Sequence, residues 1–345
     1  MTAIPFVDAE GDSYALGRWH GAARAVSLRA FLDDSLCRLN RVMRPPVSMD
    51  LLRPAISAYG AEIAAGAPEL AAEIRGLADG AGITHEEAML LQLRREIMGY
   101  NKVPARGDCT TYARTGEHAV LAQTVDLNGD LDDQIAVLRV APAGSSRRAL
   151  VLSFGGLLGY LGVNSDGLAV GLNLVLGGDW RPGLPPYLAI RHLLDSAGNV
   201  EDAVKILRGL RLASSRVIVL CDPTRAAFVE ILGDELRVVE APEVAHTNHF
   251  LHPDFAPRDE LNVFARNSSL RRLDACVSRL AGLPAGAGAE SHFAVLSAPP
   301  ICVPDLGDIR RERTVATVVM RPAHGELYVR PGDPSRGQTQ KFTLD

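Results

Sequence analysis

Cys109 is the residue of this chain whose surroundings most suggest chemistry. It follows Arg106-Gly107-Asp108 and precedes Thr110-Thr111-Tyr112, where a helical pattern gives way to a strand pattern. A thiol at the start of a strand, after a strained loop, could attack its own upstream carbonyl and convert the amide into a thioester. Hydrolysis would leave Cys109 at a new N-terminus, whose α-amino group (reference pKa roughly 7.7 to 8.0) could act as the base for the thiol. The residues alone leave open that Cys109 is an ordinary buried cysteine.

The other four cysteines predict no chemistry. Cys37 and Cys276 lie in patterns typical of amphipathic helices, Cys221 ends a predicted strand, and Cys302 follows two prolines. Such cysteines are most often small buried hydrophobes. Because the total of five is odd and no C-x-x-C spacing occurs, neither a disulfide framework nor a zinc site is expected.

Three histidines resemble a metal cluster in the sequence, but their spacing argues against one. In a strand, His246 and His252 would share a face and His249 would point to the other. We therefore expect polar residues at a strand end and no metal. No G-x-S-x-G, G-x-x-x-x-G-K-[ST] or G-x-G-x-x-G signature is present, so no cofactor is expected either.

Composition limits the possible partners of the chain. Its 345 residues are 47% hydrophobic, and 36 Lys and Arg against 41 Asp and Glu give a net charge of -5. This excludes a disordered chain and makes nucleic acid an unlikely partner. Residues 1–17 lack a signal pattern, and glycines interrupt the uncharged stretch 149–165, so a cytoplasmic protein with no membrane partner is expected.

Hydrophobic periodicity predicts sheets covered by helices. The first hundred residues read as a helical layer, and the capping box formed by Thr84 and Glu87 starts its last helix, which runs to about Tyr100. A hairpin over 110–127 follows. The helices are predicted at 15–40, 48–64, 68–78, 187–194, 201–210 and 268–283, and the other strands at 135–140, 149–154, 160–163, 168–174, 217–220, 227–232, 236–240, 314–320 and 326–329.

An ordered set of short motifs resembles a known family, the acyl-coenzyme A:6-aminopenicillanic acid acyltransferase group. These are cysteine N-terminal-nucleophile enzymes, relatives of bile-salt and penicillin V amidases. The resemblance covers most of the chain and implies an α+β fold, the four-layer αββα sandwich, with two antiparallel sheets face to face and helices outside. The motifs that carry it are Asp108-Cys109-Thr110-Thr111, Ala122-Gln123-Thr124-Val125-Asp126, Gly162-Val163-Asn164-Ser165-Asp166-Gly167-Leu168, Gly171-Leu172-Asn173 and Thr247-Asn248-His249-Phe250.

The resemblance also implies a zymogen that cleaves itself. Its Asp108–Cys109 bond would break to give chains 1–108 and 109–345, which stay associated as one structural domain, with Cys109 as the nucleophile. Asp126 would orient the new ammonium or the thiol, and Asn248 would direct its amide N–H at the oxyanion. Asn173 matches another active-site asparagine of the family.

The same resemblance also implies roles for arginines. Arg271 looks like the arginine that completes the site, although Arg272 beside it leaves the alignment open. Singly, these residues also have structural explanations: Asp126 could cap a turn, Asn173 could satisfy backbone groups, and Arg271 could be a solvated helix charge. Arg94 and Glu96 belong to another family segment and are interpreted as a buried ion pair.

Two positions depart from the family pattern. Asp108 stands where the penicillin enzyme has glycine, and this charged residue is expected to slow or alter self-cleavage. Gln123 stands where bile-salt amidases have an arginine, three residues before Asp126. The substrate-facing side is therefore expected to resemble the acyltransferase branch, and steroid conjugates are not expected as substrates.

Together, the residues and the resemblance favour an amidohydrolase that cleaves a linear amide of a small N-acylated substrate through an acyl-cysteine. A coenzyme A-dependent N-acyltransferase is the alternative, and it would need a basic groove containing residues such as Arg106 or Arg147-Arg148. A third possibility is an uncleaved, non-catalytic binding protein. The expected partner is thus a small amide or acyl thioester, and a homo-oligomer remains possible.

Overall fold

Two sheets of apolar, β-branched strands form the centre of the molecule. The computed structural model describes residues 3–99 and 109–344. Its strands are β1 (Phe6–Gly11), β2 (Thr111–Arg114), β3 (Val120–Leu127), β4 (Ile135–Pro142), β5 (Ala149–Phe154), β6 (Leu161–Asn164), β7 (Ala169–Leu174), β8 (Arg216–Cys221), β9 (Ala226–Leu232), β10 (Glu235–Glu240), β11 (Glu243–His246), β12 (Arg313–Arg321), β13 (Glu326–Pro331) and β14 (Gln340–Thr343).

The helices cover both outer sides of these sheets. They are α1 (Ser13–Asp33), α2 (Leu39–Val42), α3 (Met49–Gly66), α4 (Pro68–Ala81), α5 (His85–Met98), α6 (Pro186–Ser196), α7 (Val200–Gly209), α8 (Val263–Ala281) and α9 (Ala289–Leu296). The predicted capping box is present, since Thr84 accepts from the Glu87 amide and Glu87 accepts from the Thr84 amide.

The strands are ordered so that the two sheets meet face to face. The eight-stranded sheet runs β1-β4-β5-β6-β7-β8-β9-β10, and the six-stranded sheet runs β11-β2-β3-β12-β13-β14. Helices α1 and α6 pack on the first sheet, whereas α8 and α9 pack on the second. The predicted αββα sandwich is therefore confirmed.

Gln123 of β3 joins the two sheets. Its Nε2 donates to the Leu172 carbonyl at 2.8 Å, and its Oε1 accepts from the Leu172 amide at 3.0 Å. A Cβ at Gly171 would lie 2.7 Å from that Oε1, so only glycine allows this approach. Gln123 thus pairs with backbone between the sheets and does not line the cavity beside Cys109.

The first hundred residues are not helical throughout. Strand β1 pairs in parallel with β4, so that Val7 lies opposite Leu138. Val7 and Ala9 are buried while Phe6 is exposed, which gives this edge strand the two-residue alternation of a half-buried strand. The prediction of a purely helical layer is therefore corrected, and the N-terminal segment contributes to the larger sheet.

Several element boundaries also differ from the prediction. Helix α1 ends at Asp33 because the four residues 35–38 have positive φ, so Cys37 lies in a turn rather than in a helix. Helix α8 begins at Val263, where Asn262 accepts from the amides of Phe264 and Ala265. Strand β14 and helix α9 lie outside the predicted elements, whereas β11 ends at His246, where the sequence predicts the end of a strand. Within residues 3–99 and 109–344, no helix has the length and apolarity needed to cross a membrane.

Candidate active site

Cys109 lies just before β2 and is 3% exposed. Its Sγ is 3.5 Å from the backbone nitrogen of Asp126, which donates to it, and 3.8 Å from the hydroxyl oxygen of Tyr160. The residue before it, Asp108, lies outside the described residues, so the Asp108–Cys109 bond stays a prediction. The predicted hairpin of β2 and β3 is what brings Cys109 and Asp126 together.

Two side chains from distant parts of the chain hold the Cys109 carbonyl. Asn173 of β7 donates from Nδ2 to this oxygen at 2.9 Å, and Arg272 of α8 donates from Nη1 at 3.0 Å. All three residues are buried. The backbone beside the thiol is therefore fixed from the other sheet and from α8.

Arg272 also connects Cys109 to Asn248. Its Nη2 donates to Asn248 Oδ1 at 2.6 Å, and Asn248 Nδ2 donates to the Leu174 carbonyl at 3.0 Å. Asn248 is buried close to the end of β7. The predicted asparagines at 173 and 248 thus converge on one site through a single guanidinium.

The structure corrects the predicted arginine by one residue. Arg271 is on the exposed side of α8, where its Nε makes a 3.4 Å bond to the Asn267 carbonyl. Successive residues of a helix point about 100° apart, so a neighbour of a buried residue faces a different direction. Arg272, 1% exposed, occupies the position that was expected for Arg271.

The Asp126 carboxylate is held by threonines. Oδ1 accepts from Thr314 Oγ1 of β12 at 2.7 Å, and Oδ2 lies 3.5 Å from Thr124 Oγ1. The Thr110 amide in turn donates to Thr124 Oγ1 at 3.0 Å. Asp126 is completely buried, so these bonds fix the orientation of its carboxylate, while its backbone nitrogen contacts the thiol.

The segment after β11 is anchored by Ser269 of α8. Ser269 Oγ accepts from the Asn248 amide at 2.8 Å and lies 2.8 Å from His249 Nδ1. Burial lowers the pKa of His249 to about 4, so its ring is neutral at pH 7. His246 pairs instead with Glu230, with Nε2 to Oε1 at 3.0 Å. Both histidines therefore support the backbone that carries Asn248.

A cavity opens beside the Cys109 thiol and is mainly apolar. Its floor is formed by aromatic rings, because Tyr160 stacks on Tyr187 and meets Phe154 edge to face. Helix α5 also contributes to the wall, with Leu91 and Met98 among its lining residues. The apolar residues that line it are Phe31, Leu91, Met98, Leu127, Leu131, Phe154, Leu157, Tyr160, Leu172, Leu174 and Tyr187.

Arg94 and Glu96 do not pair with each other. Arg94 Nε donates to the Cys37 carbonyl at 2.9 Å, whereas Glu96 lies 3.6 Å from Arg216 Nη2 and accepts from Ser214. Residues two apart on a helix do not face one another, which is why the predicted pair is wrong. Arg94 and Arg216 both line the cavity.

The geometry of the site agrees with an independent family match. Residues 113–336, well over half of the chain, match the model of the acyl-coenzyme A:6-aminopenicillanic acid acyltransferase family. The chain belongs to this family. The predicted family is thus confirmed, as is the prediction that the chain is an enzyme, either an amide hydrolase or an acyltransferase. The match includes Asp126, Asn173, Asn248 and Arg272 but begins after Cys109.

This chain is also similar to several solved structures, at low sequence identity. Penicillin V acylase from Agrobacterium tumefaciens is 15% identical, with a TM-score of 0.48 over 68% of this chain and 86% of that one. An N-acylethanolamine-hydrolyzing acid amidase ortholog from Caenorhabditis elegans is 16% identical, with a TM-score of 0.46 over 69% and 100%. A mutant of conjugated bile acid hydrolase from Clostridium perfringens is 10% identical, with a TM-score of 0.46 over 69% and 97%.

Three residues near the thiol were not singled out from the sequence. Thr314 starts a predicted strand, Tyr160 starts another, and Arg272 was considered only as a competitor of Arg271. Thr314 and Tyr160 reach Cys109 and Asp126 only because β12 pairs with β3 and because the two sheets pack together. Of these three residues, only Arg272 could have been identified from the sequence. Ser269 and Arg272 are three residues apart in a predicted helix, and this spacing places them on the same face.

Proposed function

We propose that this enzyme is a self-processing cysteine amidohydrolase that cleaves a linear amide of a small N-acylated substrate. Cleavage of the Asp108–Cys109 bond releases chains 1–108 and 109–345, which stay associated. The observation that carries the proposal is the convergence of Asn173 and Arg272 on the Cys109 carbonyl, next to a thiol that lines an apolar cavity. Such a cavity suits the acyl group of a substrate.

Self-processing would begin with an N-to-S acyl shift. The Cys109 thiolate attacks the Asp108 carbonyl carbon, the C–N bond breaks, and the amide nitrogen takes a proton to become the Cys109 amine. Water then hydrolyses the thioester and leaves Asp108 with a free carboxylate. The fixed backbone around Cys109, together with Asp126 nearby, supports this step because the attacking atom needs a defined orientation.

Substrate cleavage would use the new terminus. The α-amine takes the thiol proton, and the thiolate attacks the substrate carbonyl to give a tetrahedral oxyanion. Asn248 Nδ2 has a second N–H besides the one donated to Leu174, and we assign it to the oxyanion. The ammonium protonates the leaving amine, and water activated by the amine releases the acid from the acyl-cysteine.

Acyl transfer from a coenzyme A thioester would proceed through the same acyl-cysteine. The basic groove expected for it finds less support, because Arg147 binds the Asp166 carboxylate at 2.6 Å and the Asp195 carbonyl at 2.7 Å. Neither Arg147 nor Arg148 lines the cavity beside Cys109, whose arginines are Arg94, Arg95 and Arg216. Arg106 lies outside the described residues. Hydrolysis is therefore the preferred reaction.

Mass spectrometry of the purified protein tests the proposal directly. We expect two species whose masses correspond to 1–108 and 109–345, eluting together on gel filtration. Brief incubation with an N-acylated amine should add the acyl mass to the chain that begins at Cys109, and the free acid should accumulate. A single chain of 36.9 kDa that never acquires an acyl group would favour a non-catalytic binding protein. An N-acyl product formed only from an added thioester and amine would identify a transferase.

A further inference from the structure

Arg94 is a buried arginine in the wall of the cavity that contains Cys109. It is 9% exposed and projects from α5 beside Leu91 and Met98. Nε donates to the Cys37 carbonyl at 2.9 Å, but Nη2 has no hydrogen-bond partner among residues 3–99 and 109–344. A buried guanidinium nitrogen without a partner is costly and therefore calls for an explanation.

No carboxylate compensates the charge of Arg94 within the described part of the chain. Burial lowers its pKa to about 10, and the groups that affect the pKa next most are Cys37, Arg95, Tyr187 and Arg38. The guanidinium nevertheless stays protonated at pH 7. Two other buried arginines differ in this respect, since Arg191 binds Glu73 and Arg216 faces Glu96.

The backbone leaves room for the Arg94 guanidinium. Gly129 follows β3 and has φ +89°, and a Cβ there would lie 2.4 Å from Arg94 Nη2. The Gly129 amide donates to the Ile309 carbonyl at 2.8 Å, which fixes the turn. The positive group is thus held against the turn after β3, in the wall of the cavity that Cys109 and Asp126 also line.

We propose that Arg94 binds a carboxylate of the substrate, so that the preferred substrates are amides with an apolar part and a carboxylate. This inference rests on the proposed amidohydrolase function and specifies its substrate class. Guanidinium and carboxylate groups match in geometry, and the low-polarity wall strengthens their attraction. The carboxylate is carried either by the amine half or by the acyl half of the amide.

Two pairs of matched amides test the inference with the wild-type enzyme. In each pair, one compound has a carboxylate where the other has a neutral primary amide. N-Hexanoylglycine and N-hexanoylglycinamide carry this group on the amine half, whereas N-propyladipamic acid and its primary amide carry it on the acyl half. We expect kcat/KM for the acid of one pair to exceed that of its neutral partner by about 10- to 100-fold, as for a charge-assisted hydrogen bond. Equal values within both pairs overturn the inference but leave the hydrolase intact.

Variants of Arg94 test whether this residue causes the preference for the acid over its neutral partner. Arg94→Gln should abolish the preference, so that kcat/KM for the acid and for its neutral partner become equal in this variant. Arg94→Lys should keep part of the preference because it keeps the charge. Arg271→Gln, a change on the exposed face of α8, is the matched control and should alter neither value. A preference that survives in Arg94→Gln overturns the assignment.

Binding provides a readout that does not depend on turnover. Calorimetry with unprocessed Cys109→Ala should show the acid of one pair binding at least about tenfold more tightly than its neutral partner. Equal affinities, or no binding by either acid, contradict the role of Arg94. If the acids bind but wild-type enzyme neither releases product nor forms an acyl-cysteine, the hydrolase proposal fails while the carboxylate site stands.

Discussion

Arg272 bridges the start of β2 and the segment after β11: Nη1 donates to the Cys109 carbonyl at 3.0 Å, and Nη2 donates to Asn248 Oδ1 at 2.6 Å. The bridge joins the proposed nucleophile and the proposed oxyanion donor through one rigid, planar group. Lysine could not reproduce it, because an ammonium is a point charge without two fixed parallel donors. Arg272 is therefore a positioning residue of the site.

Replacement of Arg272 should reduce the chemical step more than substrate binding. We expect Arg272→Gln to lower kcat by at least about 100-fold, comparable to the loss of an oxyanion donor, with KM changed only a few-fold. Steady-state kinetics provide the measurement. Arg272→Lys should recover little activity, and the adjacent Arg271→Gln should behave like wild type. An active Arg272→Gln together with an impaired Arg271→Gln would reverse the assignment.

The thiol of Cys109 should be required for processing as well as for turnover. We expect Cys109→Ala to remain a single chain of 36.9 kDa and to be inactive, because no sulfur is available for the acyl shift or the acyl-enzyme. Intact-mass analysis after prolonged incubation checks this. Cys276→Ala, which changes a buried cysteine of α8 packed with Leu280 and Phe293, is the control and should process normally. Normal turnover by Cys109→Ala would refute the nucleophile.

Asn248 should matter for turnover but not for self-cleavage. We expect Asn248→Ala to split between 108 and 109 yet to lose about two to three orders of magnitude in kcat, since the oxyanion would lack one donor. Mass analysis and kinetics on the same sample separate the two effects. Asn248→Asp keeps the shape of the side chain without the N–H and should be equally slow. Full activity in either variant would remove Asn248 from the oxyanion site.

The sequence predicts those parts of the site that depend on local pattern. The hairpin that brings Cys109 and Asp126 together is continuous in sequence, and Asn173, which the family resemblance implied, lies in β7, a strand predicted over 168–174. The prediction that Arg271 completes the site was wrong because the choice between adjacent helical residues depends on which face of α8 is buried. That face is set by packing against β11 and α9, and the predicted helix began five residues too late, at 268 instead of 263.

Long-range pairing explains the other errors. Strand β1 exists as part of the sheet because β4, about 130 residues later, supplies its hydrogen bonds, and no local pattern reveals that partner. Arg94 and Glu96 were predicted to pair because they are close in sequence. They point in different directions from α5, so that Arg94 contacts the Cys37 carbonyl and Glu96 faces Arg216. Opposite charges near each other in sequence therefore do not predict an ion pair unless their spacing places them on one face.

Acid should destabilise the protein through His20. This residue is 2% exposed, both ring nitrogens lack hydrogen-bond partners among the described residues, and burial together with Arg24 and Arg191 lowers its pKa to about 3. The unfolded chain binds a proton near pH 6.5, so it holds more protons than the folded chain between pH 6.5 and pH 3. The stability that a neutral His20 contributes is therefore complete above pH 6.5 and is lost as the pH falls towards 3.

His20→Leu should flatten this dependence. Urea unfolding of the unprocessed Cys109→Ala chain at pH 7 and pH 5 should show a loss of free energy of unfolding that is smaller in His20→Leu by up to about 2 kcal/mol. His118→Gln, which alters an exposed histidine, is the control and should match the parent. If the loss is as large in His20→Leu as in the parent, His20 is not the group that titrates.

Helices α1 and α4 touch backbone to backbone, and glycines make this contact possible. A Cβ at Gly17 would lie 1.9 Å from the Glu73 carbonyl oxygen and 2.7 Å from the Leu77 nitrogen. Backbone atoms cannot move aside as a flexible side chain can. Gly17→Ala must therefore push the helices apart, and it would also disturb Glu73, which binds Arg191 in the interior.

We expect Gly17→Ala to lower the free energy of unfolding by more than about 2 kcal/mol, as for an overpacked core. Gly66→Ala, at the end of α3, is the matched control, because a Cβ there meets nothing within 4 Å and the residue does not have positive φ. It should be neutral or stabilising by up to about 1 kcal/mol, since alanine favours helix. Urea unfolding of both variants in the Cys109→Ala background measures the difference. Similar stabilities of the two variants would show that α1 can move away from α4 at little cost.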